Sequence, residues 1–520
     1  MVAKPKEARS SRKWHRWRQV VQILVLVLFL YLLLTTQPGS GVSRPHDLFF
    51  RLDPLAGIAA MLASRTWMAP LALGGITLLL TLVVGRAWCS WLCPLGLVLD
   101  WTPARHPKNQ NRALPAYWRQ GKYFLLFTIL LAAVFGSLTL VIFDPVTLLF
   151  RTIGSAVLPA LNLAVTTIET GLYHFPPLQP ALDWFDSLAR GWFLTAQPFS
   201  LPNLTLIVVF AAVLALNAVR PRFWCRYLCP LGGLLGLISK MAPVKYRVDT
   251  EKCIACQRCA TICPTAAIEP QQKFAANPAE CTTCLDCLEV CPTRAITFSS
   301  RWALGNSQYY DPARRQFLVS LGAAAIGAAL LRAIPGLKKT EPQLVRPPGA
   351  AEDQLLSQCI RCGECARVCP TGSIQPSSSI STWEGLWTPG LIMRLGYCDY
   401  SCNSCGQACP TGAIPRLSLE QKRETVIGIA RIDEERCIPW AEDRECIVCE
   451  EMCPVPQKAI RIDGERKAGS RIKTTRAQLP RVLSHLCIGC GICEYQCPVK
   501  GEAAIRTYTR DEYHQNHLQQ

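Results

Sequence analysis

Six runs of four cysteines, each closing on Cys-Pro, account for all but two pairs of the chain's 28 cysteines. Two runs adjoin: Cys253, Cys256, Cys259 and Cys263, then Cys281, Cys284, Cys287 and Cys291, both spaced C-x2-C-x2-C-x3-C-P. This spacing suits a pair of cubane [4Fe-4S] clusters, in which three close thiolates wrap one cluster and the fourth reaches across to the other. The expected ligand sets are Cys253, Cys256, Cys259 with Cys291, and Cys281, Cys284, Cys287 with Cys263. Soft thiolate sulfur matches iron and spreads charge over the cube, so iron is the metal expected here. Zinc sites take two separated pairs rather than one dense run. A disulfide framework gives no reason for a proline after every fourth cysteine.

Four further runs follow. Cys359, Cys362, Cys365, Cys369 and Cys487, Cys490, Cys493, Cys497 keep the regular spacing. Cys398, Cys402, Cys405, Cys409 have one extra residue in the first gap, and Cys437, Cys446, Cys449, Cys453 open with an eight-residue gap. Two regular outer runs enclosing two irregular inner runs resemble a four-cluster ferredoxin. The resemblance implies that the outer runs share ligands: Cys359, Cys362, Cys365 with Cys497, and Cys487, Cys490, Cys493 with Cys369. It implies the same for the inner runs: Cys398, Cys402, Cys405 with Cys453, and Cys437, Cys446, Cys449 with Cys409. About six clusters are then expected in the whole chain.

The remaining cysteines are Cys89 with Cys93 and Cys225 with Cys229, in the blocks WCSWLCPLG and WCRYLCPLG. Their spacing puts both thiols of a pair on one face of a helical turn. The copies allow a single four-cysteine site, reducible disulfides, transient metal binding, or packing as small hydrophobes. Doubling of the whole block favours a redox relay or a metal role over packing.

The elements that position these groups are read from the apolar segments. Half of the residues are hydrophobic, and the apolar stretches gather before residue 240. The net charge is +18, with basic residues clustered beside apolar runs. That is the pattern of cytoplasmic topology determinants, not the basic stripe of a nucleic-acid binder. Four spans are expected at Val20–Leu34, Met68–Val84, Tyr123–Phe143 and Leu204–Val219, with the N-terminus in the cytoplasm. The order span, Asp-Pro, apolar stretch, span, Cys-x3-Cys-Pro occurs twice, with Asp53-Pro54 in one copy and Asp144-Pro145 in the other. Such repetition fits two parallel halves. A long segment after Asp144, apolar at Ile153–Val165, is expected outside. The even number of spans returns the chain to the cytoplasm before Cys253.

The fold class is therefore multi-domain, an α-helical membrane domain joined to two α+β bacterial-type ferredoxin domains. Residues 1–245 form the four-span membrane domain and 246–300 the two-cluster ferredoxin. Residues 301–345 are a linker with an apolar helix, and 346–512 the four-cluster ferredoxin. Within the linker, Arg314-Arg315-Gln316-Phe317-Leu318 before an Ala/Gly-rich stretch resembles a twin-arginine export leader over 314–335. A fifth crossing there places the last domain outside the cell. Its apolar core is short, which also suits a hairpin that does not cross.

There is no C-x-x-C-H, and no G-x-G-x-x-G follows a strand. The histidines (His15, His46, His106, His174, His485, His514, His517) lie outside the four spans. No haem, flavin or nicotinamide is expected. Electrons must come from another molecule, and quinol is the diffusible donor of a membrane. Asp53 and Asp144 are candidate proton acceptors for a quinol site. Capping of the proline-started helices is the other reading.

The first 295 residues resemble NapH-type (MauN-like) membrane subunits of quinol dehydrogenases, whose core is shared with NosR-type and CcoG-type proteins. Residues 310–510 resemble a NapG-type (MauM-like) ferredoxin with its leader. The resemblance implies two partner proteins joined in one multi-pass chain of the cytoplasmic membrane, drawing on the quinone pool. It implies delivery of electrons to a periplasmic redox enzyme or cytochrome. The CcoG and NosR likeness implies a rival, an assembly factor that reduces or delivers metal for a metalloenzyme.

Overall fold

The computed structural model describes residues 13–36, 46–102, 116–189, 203–299, 344–377, 383–464 and 478–510, with isolated helical positions at 322, 325 and 327. Apart from those positions, the leader-like stretch 314–335 lies outside the described residues. The chain divides into two units, 1–33 with 47–149 and 208–333, and 34–46 with 150–207 and 334–520.

In the first unit the expected first span lies within helix Lys13–Thr35, whose 23 residues extend about 34 Å at the helical rise. That length crosses a bilayer core. Leu24, Val27, Leu28 and Tyr31 are exposed on it, which suits lipid better than water. Among the described residues Pro145–Leu172 is the other helix long and apolar enough to cross. The remaining expected spans are shorter as continuous helices: Ala69–Val84, Gly121–Val134 and Leu204–Val219. Gly136, at φ +85°, turns the chain out of Gly121–Val134, so Thr139–Phe143 forms a separate 3-10 turn.

The helix Pro145–Leu172 stands where a long external segment, apolar at Ile153–Val165, is expected. Pro159 removes one backbone donor inside it, and the five-residue π-helix Ile153–Val157 immediately before absorbs that break. Both repeats thus begin a helix at Asp-Pro, the second much longer than the first. Pro54–Ser64, Gly74–Val84, Gly121–Val134 and Pro230–Ser239 pack together. They bury Leu55, Ala59, Leu126, Ile129, Leu231 and Leu235.

The same unit holds the adjoining cysteine runs. Strand Lys245–Val248 before them pairs antiparallel with Ile296–Ser299 after them, Val248 opposite Ile296. Ile268–Glu269 pairs with Ala275–Ala276 between the runs. The core is Cys259, Ile268, Phe274, Cys287 and Ile296.

The second unit repeats that plan. Ile429–Ile432, before the third of its runs, pairs antiparallel with Ile505–Tyr508 after the fourth, Ile432 opposite Ile505. Ile460–Gly464 pairs with Leu479–Val482 between them. The first two runs flank the pair Ile374–Pro376 and Pro389–Leu391. Helices Glu364–Arg367 and Ser404–Ala408 pack together, as do Val448–Glu451 and Ile492–Tyr495.

Candidate iron–sulfur sites

Each regular run is built on the same backbone device. The residue before the second cysteine and the residue after it are left-handed: Ala255 and Gln257, Thr283 and Leu285, Arg361 and Gly363, Gly489 and Gly491. Alternating right- and left-handed residues turn successive N–H groups inward into an anion-binding nest. Five of these eight residues are not glycine, and Thr283 is β-branched. Each such residue costs on the order of 1 kcal/mol, a strain expected where a cluster's sulfides supply the acceptors. The residues therefore fit [4Fe-4S] groups.

Amides also reach the cysteine sulfurs. Ala267 N donates to Cys263 Sγ at 3.3 Å, Ala459 N to Cys453 Sγ at 3.3 Å and Ala430 N to Cys487 Sγ at 3.4 Å. Burial pushes the Cys281 and Cys398 thiols up to about 11 and Cys490 up to about 12. Loading iron on these cysteines must therefore displace protons. Threonine hydroxyls follow: Thr265, Thr293, Thr371 and Thr411 lie 3.7, 3.7, 3.5 and 3.7 Å from Cys263, Cys291, Cys369 and Cys409. Cys-Pro-Thr in four of the six runs is the signal that would have found them.

In the first ferredoxin Cys263 lies with the other run. Cys263 lines one cavity with Cys281, Cys284 and Cys287, and Cys291 packs in the core with Cys253 and Cys259. In the second unit the cavities bring together other sets than those the resemblance implies. Cys359, Cys362 and Cys365 line a cavity with Cys409, not Cys497. Cys437, Cys446 and Cys449 line one with Cys497, not Cys409. Cys405 faces Cys398, Cys402 and Cys369, in place of Cys453. Cys487 and Cys490 face Cys453, in place of Cys369. Runs pair with their chain neighbours because each pair closes its own small core, one around Leu355, Cys409 and Ile414 and one around Cys453, Cys487 and Ile505.

The two modules join at an inner junction. Cys398 N donates to Cys490 O at 2.8 Å. Arg394 bonds the carbonyls of Glu494 and Cys497 at 3.0 Å, Val499 at 2.6 Å and Gly501 at 3.1 Å. Arg394→Met should cost about 2–3 kcal/mol, the scale of charge-assisted bonds. Protease resistance at the junction should fall while iron content holds.

The two Cys-x3-Cys pairs come together in the first unit. Cys93 lies within electrostatic reach of Cys89 and Cys225, and Cys229 of all three others. All four are free thiols. Among the described residues no group of three or more His, Cys, Asp or Glu closes tightly enough for a single metal ion.

Asp53 and Asp144 do cap their helices. Asp53 Oδ1 accepts from Leu55 N at 2.9 Å, and Asp144 Oδ2 from Val146 N at 2.9 Å and Thr147 N at 3.0 Å. Both are fully buried, and their carboxyl groups lie within hydrogen-bonding reach of one another.

The first ferredoxin is held by the ends of the apolar helices. Arg18 bonds Asp286 at 2.6 Å, Arg86 the Ala279 carbonyl at 2.6 Å and Trp91 the Thr283 carbonyl at 3.0 Å. Arg119 bonds the Ala266 carbonyl at 2.8 Å, Arg226 that of Pro264 at 2.9 Å and Ser239 that of Pro278 at 2.9 Å. Lys122 Nζ lies 2.6 and 2.7 Å from the Glu280 carboxylate. Basic residues expected to mark sidedness thus also hold the ferredoxin segment of the same chain.

In the second unit Arg151 bonds the Arg361 carbonyl at 3.0 Å and stacks 4.3 Å over Trp387. It lines the cavity of Cys359, Cys362, Cys365 and Cys409.

Two family models match, each described as a 4Fe-4S binding domain, one over residues 66–111 and 202–248, the other over 246–269 and 356–375. The chain is 34% identical over 208 residues to the methylamine utilization ferredoxin-type protein MauM of Methylorubrum extorquens, covering 39% of this chain and 91% of that protein. It is 31% identical over 201 residues to the ferredoxin-type protein NapG of Escherichia coli, 36% of this chain and 83% of the relative. To the ferredoxin-type protein NapH of Escherichia coli it is 29% identical over 282 residues, 50% of this chain and 79% of the relative. No solved structure matches.

Proposed function

The chain belongs to the ferredoxin-type electron-transport family of MauM and NapG, and on that premise we propose that it oxidises quinol at the cytoplasmic membrane and passes the electrons to an extracytoplasmic redox enzyme or cytochrome. The observation that carries this reading is the ferredoxin gripped by Arg86, Arg119, Lys122 and Arg226 from the ends of apolar helices. A redox domain so held takes its electrons from the membrane phase. The clusters, when bound, accept and release single electrons.

Those contacts support a sidedness for this reading. The start of Lys13–Thr35, the end of Ala69–Val84, the start of Gly121–Val134 and the end of Leu204–Val219 all meet the one ferredoxin, so an even number of crossings separates them. A helix leaving from Pro145 must return to its own side before residue 204. The second unit contains 34–46 and 150–207 beside 334–520, which supports an external position for the last domain. Within it, the cysteine sets run in order. Cys359 with Cys409 lies beside Arg151, then Cys398 with Cys369. Cys490 with Cys453 follows across the Cys398–Cys490 bond, and Cys437 with Cys497 is the outlet.

The paired Asp53 and Asp144 carboxyls can share a proton and take one from quinol. Asn caps helices as well as Asp, so Asp53→Asn and Asp144→Asn should spare the fold. Each should slow quinol oxidation about 10²–10⁴-fold, the usual worth of a general base. Full retention of the rate would move the quinol site elsewhere. The reading as a whole is tested by adding a quinol analogue to purified protein and following cluster absorbance. Bleaching supports it, and zinc in place of iron overturns it.

A second reading, a metalloenzyme assembly factor, draws on the convergence of Cys89, Cys93, Cys225 and Cys229. Loss of metal incorporation in a client, with electron flow intact, on replacing these cysteines would favour it.

A further inference from the structure

Each match to the first 4Fe-4S binding model, 66–111 and 202–248, contains only one Cys-x3-Cys pair. A pair is half the ligand set of a four-cysteine cluster. The fold puts the halves together, and the two repeats brace each other across the junction. Arg222 of the second repeat reaches Cys89 O of the first, Nη1 to O 3.4 Å. Arg86 of the first lies over the turn of the second: a Cβ on Gly232 would meet Arg86 Nη2 at 2.8 Å, Cys225 O at 3.5 Å and Cys229 Cβ at 3.5 Å. Cys93 and Cys229 occupy equivalent N-cap positions before Pro94 and Pro230. Gly232 N donates to Cys229 Sγ at 3.2 Å.

The surroundings ask for an anion. Arg86 is fully buried, and its Nε and Nη2 have no acceptor among the described residues. Trp88 and Trp224, each next to the first cysteine of its pair, are buried with indole Nε1 likewise lacking one. Buried donors without acceptors are costly. Carbonyls do not satisfy them here, whereas the sulfides and thiolates of a cluster present several acceptors at once. A cluster held by four thiolates is a net anion, and Arg86 and Arg222 are the cations beside it.

We propose that Cys89, Cys93, Cys225 and Cys229 together hold a seventh iron–sulfur cluster, two ligands from each repeat. Each thiol gives up its proton as its sulfur bonds iron, the iron and inorganic sulfide being supplied as for the ferredoxin sites. The site adjoins the first ferredoxin through Arg86, which bonds Ala279 O at 2.6 Å, and Trp91, which bonds Thr283 O at 3.0 Å, on either side of Cys281. It does not depend on quinol being the donor.

The test counts iron and acid-labile sulfide per chain, with electron paramagnetic resonance of the reduced protein, and uses no quinol. The Cys89→Ala, Cys93→Ala, Cys225→Ala, Cys229→Ala quadruple variant should lose about four irons for a cubane, or about two for a two-iron cluster, with the ferredoxin signals intact. Cys93→Ala and Cys229→Ala give a second measurement should the quadruple variant fail to fold. One shared site predicts equal losses in the single variants and no further loss in the double. Additive losses, unchanged iron, or copper or zinc on these thiols overturn the proposal.

Discussion

Replacing Cys409 with alanine should empty the site of Cys359, Cys362 and Cys365, removing about four irons per chain, while Cys437, Cys446 and Cys449 keep theirs. Cys497→Ala should do the reverse. Cys409 shares a cavity with the first set and Cys497 with the other. The strand pairing agrees. Ile429–Ile432 and Ile505–Tyr508 close the last two runs into a module of their own, as Lys245–Val248 and Ile296–Ser299 close the first ferredoxin. Double variants decide the matter, since losses at one site do not add and losses at separate sites do. Cys359→Ala with Cys409→Ala should lose no more iron than either alone, and Cys359→Ala with Cys497→Ala should lose two sites' worth. Should alanine unfold a module, the loss still falls within residues 344–417 or within 429–508 and never across both. On the proposed function, quinol-driven reduction of the stations beyond the missing one should stop.

Spacing made the individual sites legible, because three cysteines at x2 intervals can wrap one cube and little else. It did not make the partnership legible. Every run ends in Cys-Pro, so the reach of Cys369, Cys409, Cys453 and Cys497 is decided by which short strands and helices close a core together. The same limit applies to Pro145–Leu172. Pro159 removes a backbone donor, and only a π-helical turn, which no periodicity announces, lets the helix continue. The Asp-Pro steps were legible as caps, but their meeting is tertiary. Arg394 carried no signal at all, since its four acceptors are backbone carbonyls about a hundred residues away.

Glu280→Gln should be among the most destabilising single changes in the first unit. The carboxylate is 3% exposed, against Lys122 and Arg86, both fully buried, with Lys122 Nζ at 2.6 Å and Arg86 Nη1 at 3.5 Å. Removing one side of such a group leaves the other charge buried without compensation, at about 3–5 kcal/mol. Glu280→Gln with Lys122→Met should recover part of that, because Lys122 is then no longer left charged while Arg86 still is. Burial alone would raise the Glu280 carboxyl, but Lys122, then Arg86 and Arg119, hold it below its ordinary value of 4.5. A carboxyl whose folded value is depressed contributes its full stability above the unfolded value and loses it as pH falls through the folded one. The wild-type ferredoxin should therefore stay docked at neutral pH and loosen progressively below about pH 4.5, the ordinary carboxyl value. Limited proteolysis between residues 245 and 300 against pH measures this. The Glu280→Gln protein should be cut readily at neutral pH and show little further change in that window. An acid transition unchanged by the substitution would place the controlling carboxylate elsewhere, with Asp286, bonded by Arg18 at 2.6 Å, the next to replace.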